Sequence, residues 1–285
     1  MKYLLLSMRP HQWAKGVFIF FPLIFGQKLL DPQAFLNTLA AFFYFAFAAS
    51  AMYLINDISD VAEDRNHPEK QHRPLAAGKI TVKQAVILAA TLIIISFIWS
   101  FLQNALAFYI IVFYIILNFV YTKFLKHCVI IDIFCIGAFF YLRILLGGVA
   151  ANIVLSNWLI MCTILLALFI GFNKRRYDLE YSKNPKLVFS KYNISFLDRM
   201  ISIIGSCLIL SYSFYVINPE TIEHFGTKNL IYSIPFAYYG VFRYMYLIDS
   251  KWFGGDPAKI VLGDYKIQLT VFLWLLTCSF VIYVK

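Results

Sequence analysis

The sequence predicts an all-α integral membrane protein. Of the 285 residues, 61% are hydrophobic and only 14% are charged, far from the balance of a soluble globular domain. The mean hydropathy is +0.72, and the apolar runs reach the ~20 residues that a helix needs to cross a bilayer. None of the runs shows the two-residue alternation of a membrane β-barrel.

Nine candidate spans follow, near 14–30, 34–55, 82–102, 104–122, 128–150, 155–173, 197–217, 229–248 and 266–284. The first begins behind Trp13; Pro22 interrupts it, and Gln27 and Lys28 close it early. The second is apolar until the acids that start at Asn56. The third and fourth form a long apolar pair closed by Lys123. The fifth holds two ionisable residues, Asp132 and Arg143, and the sixth ends at Asn173, where three cations begin. The seventh, eighth and ninth are apolar runs separated by polar segments. The first span follows Arg9, His11 and Lys15 but ends without a small-residue cleavage site, so no cleavable signal peptide is expected.

Orientation follows from Lys and Arg. With nine crossings and a cytoplasmic N-terminus, 21 of the 25 basic residues fall on the cytoplasmic side, leaving Lys28, Lys228, Lys285 and the intramembrane Arg143. This asymmetry satisfies the positive-inside rule and supports an odd number of crossings. The expected location is a multi-pass plasma (inner) membrane. Much of the +10 net charge is then topological, and no nucleic-acid partner is expected. The five cysteines, Cys128, Cys135, Cys162, Cys207 and Cys278, lie in the spans without a CxxC pair and read as small apolar fillers.

The chain reads as one membrane domain, 1–285, with two long polar interruptions at 56–81 and 174–196. Both lie on the expected cytoplasmic side, and chemistry is expected there. In the first, Asp57, Asp60 and Asp64 are spaced i, i+3, i+7 and share one face if the preceding helix continues through them. Carboxylates facing one point favour a hard cation, and Mg²⁺ commonly sits on one or two carboxylates while substrate phosphates complete its shell. Arg65, His67, Lys70, His72 and Arg73 follow at once, a cationic set suited to the outer oxygens of a metal-bound diphosphate. The alternative is an ordinary solvated loop.

The second interruption opens with Asn173, Lys174, Arg175, Arg176, Tyr177 and Asp178. The cations are either topology anchors or phosphate ligands; Lys174 and Asp178, at i and i+4, share a helix face. Asp132 and Arg143, with Lys126 just before them, sit about three turns or ~16 Å apart on one stripe. That is too far to pair on a straight helix, so each needs a ligand, a neighbouring helix or water. Arg9 and Trp13 fit interfacial anchors, whereas Lys15 lies one turn into the span.

These residues resemble a known superfamily. Asn56-Asp57-x-x-Asp60-x-x-x-Asp64 followed by Arg73-Pro74-Leu75-x-x-Gly78 is similar to the first signature of the UbiA-type membrane prenyltransferases. The resemblance implies nine transmembrane helices around a central cavity open to the cytoplasmic side. Members that prenylate aromatic acceptors carry a second DxxxD motif after the sixth helix; here that place is taken by Lys174-Arg175-Arg176-Tyr177-Asp178. With Arg9-Pro10-x-Gln12-Trp13-x-Lys15, the Lys126, Asp132 and Arg143 region and Arg243-Tyr244-x-Tyr246, this resembles the decaprenyl-phosphate phosphoribosyltransferase branch. Gly16 stands where the branch usually has Asn, and Asp178 where it usually has Glu.

The resemblance implies a Mg²⁺-dependent glycosyltransferase. It would move 5-phosphoribose from phosphoribosyl diphosphate to a polyprenyl phosphate, releasing diphosphate, in cell-envelope precursor synthesis. Asp57, Asp60 and Asp64 would hold the metal with Asn56 as helper. Lys15, Arg65, Lys70, Arg73, Lys126, Asp132, Arg143, Lys174, Arg175, Arg176 and Asp178 would contribute to substrate binding. One aspartate motif plus a cationic second loop suits a site handling more phosphate than metal alone neutralises. The rival readings are a prenyltransferase joining an isoprenyl diphosphate to an aromatic or lipophilic acceptor, and a cation-coupled transporter.

Overall fold

A computed structural model describes residues 2–66, 70–181, 192–249, 260–261 and 263–284. All regular structure among them is helical. Among the described residues, seven helices are long and apolar enough to cross a membrane: Pro32–Ser59, Val82–Gln103, Ala105–Lys123, Ile131–Ala151, Asn157–Glu180, Ile194–Ile217 and Tyr265–Tyr283. Numbered with the shorter ones, the helices are α1 (Lys2–Ser7), α2 (Phe21–Phe25), α3 (Pro32–Ser59), α4 (Val61–Arg65), α5 (Val82–Gln103), α6 (Ala105–Lys123), α7 (Ile131–Ala151), α8 (Asn157–Tyr181), α9 (Ile194–Ile217), α10 (Pro219–Phe225), α11 (Ile234–Asp249) and α12 (Tyr265–Tyr283).

The two remaining expected spans are helical but broken, each at a proline. Residues 14–30 form a 3₁₀ segment, Pro10–Phe20, that runs into the short α2. Pro22 has no N–H to continue an α ladder, and Phe21 bonds back to the Phe18 carbonyl instead. Residues 229–248 begin as a 3₁₀ turn, Asn229–Ser233, before α11; Pro235 sits in the first turn of α11, where the missing donor costs nothing.

The other boundaries have local causes. Asp31 accepts from the N–H groups of Gln33 and Ala34 at 3.0 and 3.2 Å to start α3. Thr81 and Gln84 form a reciprocal capping box on α5, and Asn104 both ends α5 and caps α6 through Leu106 N–H at 2.7 Å. These caps satisfy helix-end donors that would otherwise be orphaned.

The chain packs as two compact units: Met1–Phe124 with Leu142–Val154, and Leu125–Tyr141 with Leu155–Lys285. In the first, α3 and α5 share a core in which the small residues Ala51, Ala85 and Ala89 are buried with Leu54, Leu75, Ile80 and Leu92. Small side chains allow this close approach where lipid supplies no hydrophobic drive. Gly147 on α7 meets the Ile19 carbonyl so closely that a β-carbon there would overlap it. The Lys28 ammonium donates to the Ala151 and Asn152 carbonyls at 3.2 and 3.0 Å, closing the end of α7. In the second unit, Ile133, Leu168, Phe169, Leu197, Ile201, Tyr244 and Leu247 form the core. Outward faces are apolar, as at Ile94, Ile98 and Phe101 on α5, a surface suited to lipid contact.

Candidate functional site

In the first unit, α3 is apolar until Asn56 and Asp57 close its last turn. The expected continuous helix through Asp64 is interrupted. Asp60, at φ −99° and ψ 8°, leaves the helical path, and α4 restarts at Val61. Asp57 and Asp64 therefore lie on either side of a bend, buried to 4% and 2% exposure.

Arg73 joins them. One of its terminal nitrogens donates to Asp57 at 3.0 Å and to Asp64 at 2.6 Å. Arg9, 48 residues upstream, donates to the same Asp57 oxygen at 2.5 Å, and Lys70 lies 3.9 Å from Asp64. Asp60 instead accepts from the Asn56 amide at 3.2 Å. The expected trio thus separates into a buried pair and a third carboxylate turned to Asn56. Among the described residues no three acidic, histidine or cysteine side chains converge on one point.

Local geometry delivers these cations. Lys70 and Arg73 are tied by the 3₁₀ turn Lys70–His72, with Arg73 N–H on the Lys70 carbonyl at 2.9 Å. Gly78, at φ 68°, turns the chain back toward α5, a conformation glycine adopts without steric penalty. Arg9 is itself left-handed, at φ 54°, and its guanidinium lies 5.1 Å from the Tyr53 ring centroid. Arg65 is exposed at the end of α4. His67, between Arg65 and Lys70 in sequence, lies outside the described residues.

Below the acid pair, the α3 stripe of Tyr53, Ala49 and Ala46 continues into a cleft that Gln12, Trp13, Gly16, Phe42, Phe45 and Arg143 complete. Trp13 is fixed by its indole N–H on Ser50 at 3.0 Å. Arg143 is 6% exposed and rests over the Phe45 and Tyr114 rings at 4.7 and 5.9 Å, a cation–π setting that lowers the cost of a charge at membrane depth. Lys15 is half-buried on the 3₁₀ segment.

The second unit gathers another set. Asp132 is fully buried; it accepts from Arg175 Nε at 2.7 Å and from the Tyr192 hydroxyl at 2.7 Å. Arg175 also reaches Asp178 at 3.4 Å. Arg176 faces Asp198 at 2.6 Å and Glu180 at 2.9 Å. Of the basic run, Lys174 is half-buried, as is Lys126 on the turn Leu125–His127. Residues 182–191 of the second expected loop lie outside the described residues.

Sequence reasoning missed three participants. Arg9 read as an interfacial anchor, and neither Tyr53 nor Tyr192 stood out; only their position against the acids marks them.

The acid pair suits a hard divalent ion chemically. Two buried carboxylates within reach of one guanidinium are the protein share that Mg²⁺ takes when phosphates fill the rest of its shell. The cations now gathered on those oxygens show that the pocket is organised around positive charge.

Comparison with known proteins bears on the family and the fold. Over 288 aligned residues the chain is 32% identical to a Corynebacterium glutamicum protein named decaprenyl-phosphate phosphoribosyltransferase, covering 98% of this chain and 86% of that one. A Mycobacterium tuberculosis protein of the same name is 29% identical, with 95% of this chain and 91% of the relative covered. The fold matches that of a UbiA homolog from Archaeoglobus fulgidus bound to DMAPP and Mg²⁺, with a TM-score of 0.70, 19% identity and complete coverage of both chains. The model of the UbiA prenyltransferase family matches residues 17–276, and the chain belongs to that family.

Proposed function

We propose that the protein is a polyprenyl-phosphate phosphoribosyltransferase that moves 5-phosphoribose from phosphoribosyl diphosphate to a polyprenyl phosphate with release of diphosphate. The observation that carries this reading is the excess of cations over acids. Arg9, Arg73 and Lys70 converge on only two buried carboxylates, Asp57 and Asp64. A site for one isoprenyl diphosphate beside a neutral acceptor has less use for that excess than one handling a diphosphate, a 5-phosphate and an anionic lipid. The names of the Corynebacterium and Mycobacterium relatives support the same reaction.

In this reading Asp57 and Asp64, with Asp60 and Asn56 at the bend, would hold Mg²⁺, whose role when bound is to neutralise the departing diphosphate. Arg73 and Lys70 offer N–H donors to phosphate oxygens, exchanging bonds now made to carboxylates. Arg65, Lys126 and Lys174 are further phosphate ligands, and Arg143 and Lys15 serve the cleft below the acids. The C–O bond between the anomeric carbon and diphosphate breaks as a polyprenyl phosphate oxygen bonds to that carbon. A phosphate monoester has a second pKa of about 6, so the acceptor is already ionised at neutral pH and no protein base is needed. Catalysis then rests on alignment and charge neutralisation.

The two broken helical stretches complete nine crossings in this reading, with the N-terminus and the acid cluster facing the cytoplasm of a plasma (inner) membrane. The test is incubation of membranes with labelled phosphoribosyl diphosphate and polyprenyl phosphate, with and without EDTA. Labelled lipid that EDTA abolishes, with inversion at the anomeric carbon, is the expected result. No labelled lipid together with consumption of an isoprenyl diphosphate would establish the prenyltransferase alternative, and retention would overturn single displacement.

A further inference from the structure

The turn that enters α7 is strained. Ile130 has φ 72°, a left-handed conformation that a β-branched residue adopts only when its surroundings impose it. Its side chain is 40% exposed, so packing around that side chain does not impose it. The backbone does: Ile130 N–H donates to the Tyr192 hydroxyl at 2.6 Å. The same hydroxyl donates to Asp132 at 2.7 Å, and the other Asp132 oxygen takes Arg175 Nε at 2.7 Å. Tyr192 is 6% exposed and Asp132 is fully buried. Burial first, and then the bond to Asp132, keep the Tyr192 hydroxyl protonated well above the usual tyrosine range, so it serves both bonds at neutral pH.

This chain of bonds joins two places that carry cations. Lys126 lies on the turn Leu125–His127, four residues before Ile130, and Lys174 adjoins Arg175 on α8. We infer that Tyr192 is a positioning residue for phosphoribosyl transfer: its hydroxyl ties the strained turn bearing Lys126 to the buried Asp132–Arg175 pair beside Lys174, and thereby sets where these two cations meet substrate phosphates. The inference rests on the proposed reaction. It also assigns Asp132 and Arg175 to holding this geometry rather than to contacting substrate.

The experiment uses the full-length protein in lipid nanodiscs and the variant Tyr192→Phe. Loss of the hydroxyl removes one bond from Ile130 N–H and one from Asp132; at about 1 kcal/mol for a neutral hydrogen bond, amide exchange at Ile130 accelerates about fivefold or more. KM for phosphoribosyl diphosphate rises by a similar factor while kcat stays within about twofold, the pattern of lost ground-state positioning. Adding Ile130→Gly to Tyr192→Phe brings KM part of the way back toward wild type, because glycine adopts positive φ without strain while the bond to Asp132 stays lost. Unchanged exchange and unchanged KM in Tyr192→Phe overturn the inference. A raised KM that Ile130→Gly does not lower at all also overturns it, because the strained turn would then carry none of the effect. If the wild-type chain makes no phosphoribosyl lipid, the proposed reaction falls and with it the catalytic half of the inference, while exchange at Ile130 still decides whether the tie exists.

Discussion

Replacing Arg73 by glutamine tests the acid pair directly. Arg73 makes charge-assisted bonds of 3.0 and 2.6 Å to Asp57 and Asp64, both nearly inaccessible to solvent. Such bonds contribute about 1.5–3 kcal/mol each. The Arg73 side chain is 24% exposed, and Arg9 and Lys70 stay on the two acids, so solvent screening and the remaining cations lower the total to about 2–3 kcal/mol. At about 2 °C per kcal/mol for a chain of this size, Tm in EDTA falls by about 4–6 °C. An ion bound at a hundred times its Kd stabilises by about 2.7 kcal/mol. Saturating Mg²⁺ therefore restores most of the loss, and its stabilising increment is larger in Arg73→Gln than in wild type, where the guanidinium competes for the same oxygens. Thermal unfolding of detergent-solubilised protein, with EDTA or with Mg²⁺, reads both quantities. A Tm in EDTA within about 1 °C of wild type, or equal Mg²⁺ increments in the two proteins, would refute the reasoning.

Three further outcomes are expected. Arg175→Met strands the fully buried Asp132 with only the Tyr192 hydroxyl, a loss of about 3–5 kcal/mol. Unfolding midpoints measure it, and the double variant Asp132→Leu/Arg175→Met recovers most of it because no lone charge remains. Gly147→Ala drives a methyl into the Ile19 carbonyl and costs about 1–3 kcal/mol, whereas Gly137→Ala, whose methyl meets Leu168 at an ordinary 3.5 Å, is neutral or slightly stabilising; Tm separates the two. The third concerns pH. The Arg243 hydrogen bond holds the Asp264 carboxyl below its usual value of 3.8 against the opposing effect of burial. Because the folded pKa is depressed, the stabilisation is present above the unfolded value and is lost as pH falls through the folded one. Acid unfolding followed by tryptophan fluorescence shows a steeper loss below about pH 4 in wild type than in Asp264→Asn.

How much of this was legible in the sequence varies by element. The third and fourth expected spans, 82–102 and 104–122, match α5 and α6 within a residue or two, because Thr81, Gln84 and Asn104 cap locally. The fifth began three residues early: the segment before Ile131 is a strained turn, held by a tyrosine 62 positions away, and no local pattern announces it. The first and eighth stretches carry enough hydropathy for a span, but prolines break each into a 3₁₀ piece and a shorter helix. At the site, Asp57 and Asp64 stood out as acids at a membrane boundary. The spacing alone did not show that the helix bends at Asp60, because a regular face assumes an unbroken helix.

Asp132 makes the division clearest. Local physics is enough to say that a carboxylate inside an apolar run needs a partner, since the cost of burying charge depends only on its surroundings being apolar. Hydropathy, capping residues and the acid and base types likewise determined the membrane class, most helix positions and the kind of chemistry. Which partner meets which acid was decided only by tertiary structure: Arg175 and Tyr192 reach Asp132 from 43 and 60 residues away, and Arg9 reaches Asp57 from 48. Those pairings depend on how whole helices pack, and packing at such separations leaves no periodic trace along the chain.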